Sequence, residues 1–188
     1  ALCQGDVPPV LSSVSENGIA GTWSGSISTN TPGTTLYTFT PNPDECGISV
    51  TLDVLVTAPQ TPIFDPLADL CQFDGVPVLS AVSLNGISGV WSNTISTTVS
   101  GTQTVTFTPD QGQCAVSISD QVVVFPLPNV FAGEDMIICI GESATLNATG
   151  AESYSWDNGV VNGIAFTPQE GTTTYTVSGT SSQGCLAS

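Results

Sequence analysis

Six cysteines, three tryptophans and sixteen acidic residues are the side chains of this sequence with chemistry to offer, because its 188 residues contain no lysine, arginine or histidine. The cysteines come in order as Cys3 and Cys46, Cys71 and Cys114, Cys139 and Cys185. An even count at repeated spacing reads as a disulfide framework. The predicted pairs are Cys3 with Cys46, Cys71 with Cys114 and Cys139 with Cys185. Closing a loop of about forty residues in this way stabilises a small fold by roughly 4 kcal/mol on a chain-entropy argument. Such bonds persist outside the reducing cytosol. A zinc site is not expected, since there is no Cys-x-x-Cys pair and no histidine to complete a tetrahedral set.

The other reactive groups point away from catalysis. A serine or threonine nucleophile needs an adjacent base, and neither histidine nor lysine is available to act as one. A pair of carboxylates could hydrolyse a glycosidic bond. The acids, however, fall five, five and six along the three stretches of chain that the cysteines mark, without gathering into a cleft signature. No enzyme is expected. An intramolecular isopeptide staple would need a lysine amine, which leaves cross-linking to the disulfides. Calcium is the one cofactor the residues suggest, as carboxylates and loop carbonyls are its ligands. Asp65 and Asp69 are candidates near one join and Glu134 and Asp135 near another, although no Asp-x-Asp-x-Asp-Gly loop occurs and solvated carboxylates also serve solubility. Asp6 and Asp74 each follow a cysteine by three residues, which suits a carboxylate accepting backbone N–H bonds in a turn.

The formal net charge of −16 excludes nucleic acid as a partner, because no counterion-release affinity is available, and it disfavours anionic lipid. Apolar residues are nevertheless plentiful and the mean hydropathy is +0.26, enough apolar surface to fold. No apolar run approaches the twenty or so residues of a membrane-spanning helix. The opening Ala1-Leu2-Cys3-Gln4-Gly5-Asp6 lacks the basic and apolar regions of a signal peptide, which reads as a mature fragment. With no basic residue, the chain offers trypsin-like proteases no site.

The residues above are positioned by a repeat. Leu2-Cys3-Gln4, Pro9-Val10-Leu11-Ser12, Asn17-Gly18-Ile19, Trp23-Ser24, Thr38-Phe39-Thr40-Pro41 and Cys46 recur 68 residues later, ending at Cys114. A diverged third unit carries Cys139, Trp156, Phe166-Thr167-Pro168, Thr174-Tyr175-Thr176-Val177 and Cys185 in the same order. Pro59-Gln60-Thr61-Pro62 and Pro126-Leu127-Pro128 mark the joins as short, semi-rigid connections. The expected units are residues 1–57, lacking a first strand, 58–125, and 126–188, stopping before a last strand, as if cut from a longer array. Alternating apolar residues in Leu36-Tyr37-Thr38-Phe39-Thr40 and Ile48-Ser49-Val50-Thr51-Leu52-Asp53-Val54 have the period of half-buried strands. The dipeptides Asn17-Gly18, Asn85-Gly86, Asn158-Gly159 and Asn162-Gly163 accept positive φ and predict hairpin turns. Short strands with frequent turns predict an all-β fold of tandem immunoglobulin-like β-sandwich modules, one disulfide each, in an elongated array. Trp23, Trp91 and Trp156 lie between the cysteines of their units, where core packing against the bridge is expected.

The pattern Cys-x-x-x-x-x-Pro-Val-Leu-Ser, Asn-Gly-Ile-x-Gly-x-Trp-Ser, Thr-Phe-Thr-Pro, Cys, followed by Thr-Pro-Ile-Phe, resembles the tandem Ig-like repeats of giant Bacteroidetes surface proteins, including SprB-type gliding adhesins. The third unit resembles a related PKD-like or Ig-like module. The resemblance implies type IX secretion, placement on the outer surface of a Gram-negative cell, and a filament for surface adhesion and gliding motility. Neighbouring repeats of the same chain would be its partners, with extracellular polysaccharide or the substratum beyond them. The alternative is a spacer or carbohydrate-binding module of a secreted multidomain protein, in which Tyr37, Tyr154 or Phe131 would meet a sugar face.

Overall fold

A computed structural model describes all 188 residues. The fold is all-β: thirteen strands, with one short 3-10 turn at Asp157–Gly159. The chain divides into two compact units. One comprises Ala1–Asp65, Ser80–Ser92 and Thr106–Ser119, the other Pro66–Leu79, Asn93–Val105 and Asp120–Ser188. Both units draw on the second repeat, so the compact unit is not the sequence repeat.

In the first repeat β1 (Leu2–Cys3), β2 (Gly21–Trp23), β3 (Gly33–Pro41) and β4 (Val50–Thr57) form a sheet in the order β1-β4-β3-β2. The strands β3 and β4 are antiparallel, from Gly33 opposite Val56 to Phe39 opposite Val50. β1 instead runs parallel to β4, with Cys3 opposite Thr57. In the second repeat β5 (Leu70–Cys71), β6 (Gly89–Ser92), β7 (Gly101–Pro109) and β8 (Ile118–Phe125) repeat that order as β5-β8-β7-β6, again with a parallel first strand that sets Cys71 opposite Phe125.

The alternation read from sequence places Tyr37 and Phe39 of β3 in the core and leaves Leu36 outside. The run Ile48–Val54 behaves differently. The strand begins only at Val50, and Ile48, Val50 and Leu52 are all exposed, with burial resuming toward Val56. The Asn-Gly turns at 17–18 and 85–86 are tight. Gly18 has φ 83° and donates to Ser15 O, Gly86 has φ 82° and donates to Ser83 O, and single bridges close each turn at Val14–Ala20 and Val82–Ser88. Asn158-Gly159, expected as a hairpin turn, lies in the 3-10 turn instead.

Gly89 shows how closely this core is packed. A methyl group there would overlap Thr108 O and lie 2.7 Å from Cζ of Phe107, a ring with no exposed surface. Gly89→Ala is therefore expected to destabilise the fold by roughly 1–3 kcal/mol through overpacking. A urea titration followed by tryptophan fluorescence measures this, and an unchanged midpoint would refute the close approach.

In the third repeat β9 (Ala144–Thr145) pairs with β11 (Ala165–Phe166), and β10 (Ser153–Trp156), β12 (Val177–Thr180) and β13 (Leu186–Ala187) form a sheet in that order. Its core is Ala148, Trp156, Val160 and Val177, joined by Val130 from the preceding linker. No buried side-chain polar atom lacks a hydrogen-bond partner. No helix is long and apolar enough to cross a membrane.

Candidate functional site: the cystine joints

The predicted pairing of cysteines within each unit is corrected by the structure. Cys3 bonds Cys114 across 111 residues and Cys71 bonds Cys185 across 114, with Cα separations of 5.3 and 5.6 Å. Cys46 and Cys139 are free and exposed. The physical reason is strand length. Cys3 lies beside Thr57 at the end of β4. Cys46 lies before the start of β4, in a loop held near Pro41 by Asn42 N–H donating to Ala20 O and by the Glu45 carboxylate accepting from Ala20 N–H. Eight residues of strand set those ends roughly 23 Å apart, whereas a disulfide tolerates Cα separations up to about 7 Å. The repeat therefore displays one cysteine at its exit and one at its entrance. Each bond joins the exit cysteine of one repeat to the entrance cysteine of the next.

The local turns that present the exit cysteines match those expected. Asp6 Oδ2 accepts from Cys3 N–H and Asp74 Oδ2 from Cys71 N–H, both at 2.7 Å. In the third repeat Glu142 N–H donates to Cys139 O, as Asp6 and Asp74 donate to Cys3 and Cys71, so Cys139 stands on an equivalent turn. Buried Thr29 and Thr97 lock the first two turns by donating to Asp6 O and Asp74 O.

A second contact accompanies the first bond, one that sequence reasoning missed. The linker 60–64 is laid as an extra edge on the second repeat: Gln60 N–H donates to Cys114 O at 2.8 Å and Val116 N–H to Gln60 O at 2.9 Å. Asn85 reads the linker backbone through its amide, accepting from Ile63 N–H and donating to Thr61 O, both at 3.0 Å. Pro62 is buried, and the Phe64 ring sits 4.9 Å from Trp91 and 4.7 Å from Phe107. The proline-containing join with Thr61-Pro62-Ile63-Phe64 was legible in sequence, but its docking was not. The second linker likewise enters the third repeat, where Phe131 bridges Thr149 and Val130 packs on the Trp156 cluster.

Trp156 is buried in the core and Trp23 and Trp91 are half-buried, and aromatic and polar groups meet all three where a bridge within the unit was expected. Trp23 faces Phe39 at 5.4 Å and donates to Ser12 O, Trp91 faces Phe107 at 5.3 Å and donates to Ser80 O, and Trp156 donates to Asn162 Oδ1. Of the residues considered for sugar stacking, Tyr37 is buried, Tyr154 is half-buried with its hydroxyl bonded to Ala151, and Phe131 is exposed. The carboxylates Asp65, Asp69, Glu134 and Asp135 are exposed, and Asp69 accepts from Val123 N–H at 3.1 Å. No three acidic, cysteine or histidine residues gather as a metal site.

These features define a class, an all-β repeat protein whose consecutive repeats are interlocked by disulfides and by docked linkers. No protein-family model matches the chain, and no curated protein is significantly similar to it.

Proposed function

We propose that this chain is a structural and adhesive segment of a secreted cell-surface filament built from tandem Ig-like β-sandwich modules, serving surface adhesion and gliding motility on a Gram-negative cell. The two disulfides favour an oxidising location outside the cytosol. The charge of −16 keeps neighbouring filaments apart. The filament needs no catalytic chemistry and no cofactor from this segment.

The observation that carries the reading is the overlap of the two bonds. Between Cys3 and Cys185 the shortest covalent route crosses one disulfide, runs back along the 43 residue steps from 114 to 71, and crosses the other. At about 3.5 Å per residue that route extends to roughly 150 Å, whereas the 182 steps of the reduced chain extend to roughly 640 Å. Interleaving thus limits how far the segment can lengthen under tension even if every module unfolds. Bonds inside separate modules would leave a route of similar length that runs through the linkers alone, whereas the interleaved bonds carry the load through the second module's own chain from 71 to 114.

Single-molecule pulling from the two termini tests this. The oxidised chain is expected to stop lengthening near the shorter limit and the reduced chain near the longer one. A common limit for both states would contradict a tension-bearing role for the joints.

A further inference from the structure

The groove beside Cys46 in the first repeat has the same construction as the one that holds the linker 60–64 in the second. Its volume is about 540 Å³. The turn side contributes Ser15, Asn17 and Ile19, and the loop and strand side Cys46, Gly47 and Val50, above Phe39. Sixty-eight residues on, the corresponding positions are Ser83, Asn85, Ile87, Cys114, Ala115 and Ile118, of which Asn85 and Cys114 hydrogen-bond the linker and Ala115 bridges Gln60. The hydrogen bonds that shape the two grooves also correspond. Ser15 Oγ donates to Asn17 Oδ1 as Ser83 Oγ does to Asn85 Oδ1, and the Glu45 and Gln113 side chains accept from Ala20 and Ser88 N–H.

Burial distinguishes the two. Ser83 and Ile87 are buried where Ser15 and Ile19 are only half-buried, and Ile118 is half-buried where Val50 is 51 % exposed. Ile48 is 85 % exposed against 40 % for Val116, and the Trp23–Phe39 pair has no third ring where Phe64 completes the set on Trp91 and Phe107. At the rim Cys46 is a free thiol where Cys114 is bonded.

We propose that this groove is an acceptor site for the exit end of another module of the same polypeptide. An extended Gln-x-Pro-x-Phe segment would lie along Gly47, its Phe on Trp23 and Phe39 and its backbone read by Asn17, while Cys46 forms a disulfide with that module's exit cysteine. The source is a linked module because both observed bonds run from an exit cysteine to one 111 or 114 residues later. A second copy of this chain cannot supply the segment, since its own two linkers are docked internally. Added-strand docking of this kind draws affinity from main-chain hydrogen bonds and specificity from side-chain pockets. The bond forms by thiol–disulfide exchange. The Cys46 thiolate attacks a mixed disulfide between the exit cysteine and a small thiol, the old S–S bond breaks, and the small thiol leaves carrying the electron pair and takes up the proton that Cys46 released. The inference rests on the array reading only in taking the occupant to be a like module.

Two experiments test it. A synthetic peptide of residues 58–65, titrated into the intact oxidised chain, is expected to bind one equivalent, to shift the NMR signals of Ile19, Gly47 and Val50, and to change Trp23 fluorescence. Phe64→Ala in the peptide, or Val50→Asp at the exposed rim of the groove, should weaken binding at least tenfold. Absent binding, or binding indifferent to both changes, overturns the site.

In the second experiment a copy of residues 1–68 is joined ahead of Ala1 and the extended chain is oxidised with glutathione disulfide. Disulfide mapping is expected to link the added copy's exit cysteine to Cys46. A free Cys46 in a chain that retains Cys3–Cys114 overturns the acceptor site alone, whereas loss of Cys3–Cys114 as well overturns the array reading with it. Dimerisation of the unextended chain through Cys46 under the same oxidation would overturn the assignment to a linked module.

Discussion

Cys3→Ser is expected to lower stability by about 4–5 kcal/mol, because the bond to Cys114 closes a loop of 111 residues and removes the corresponding entropy from the unfolded chain. For a chain of this size that corresponds to a fall in melting temperature of roughly 10–20 °C. Cys46→Ser should change stability by less than about 0.5 kcal/mol, since Cys46 is exposed and unbonded. The two variants together separate pairing between repeats from pairing within them. A Cys3–Cys46 bond would make both substitutions equally damaging, and would appear as a linked peptide in a chymotryptic digest of the oxidised protein. The effect of Cys3→Ser should not add to that of Cys71→Ser, as the two loops share the residues between 71 and 114.

Phe107→Ala is expected to cost about 3–5 kcal/mol, the range for removing a wholly buried aromatic side chain. The ring supports Gly89 from one side and holds both Trp91 and the linker's Phe64. Phe39→Ala, at the equivalent position of the first repeat, should cost roughly 1 kcal/mol less, because Phe39 pairs with Trp23 alone and one aromatic contact is worth about 0.5–1.5 kcal/mol. Both residues belong to the same compact unit, so one urea titration reads both. Equal costs would mean that the docked Phe64 adds nothing to the core of the second repeat.

The sequence by itself determined the all-β character, the 68-residue repeat and the tight turns at 17–18 and 85–86. These follow from local rules: alternation sets which face of β3 is buried, Asn-Gly supplies the positive φ at Gly18 and Gly86, and a carboxylate three residues after a cysteine caps its own turn. Each depends on residues near one another in the chain, and each was legible for that reason.

The partners of the cysteines and the destination of the linkers were decided only by the tertiary structure. In a periodic sequence Cys46 and Cys114 are equivalent, so spacing cannot say which of them Cys3 will meet. The choice is made by the parallel pairing of β1 with the far end of β4, which carries Cys3 a full strand length from Cys46 and brings it to Cys114. The proline-rich joins read as connectors because their composition suits one. The role of the first join as an added edge depends on Asn85 and the segment Cys114–Val116, residues far from the linker in the chain and adjacent to it only once strands and turn have formed.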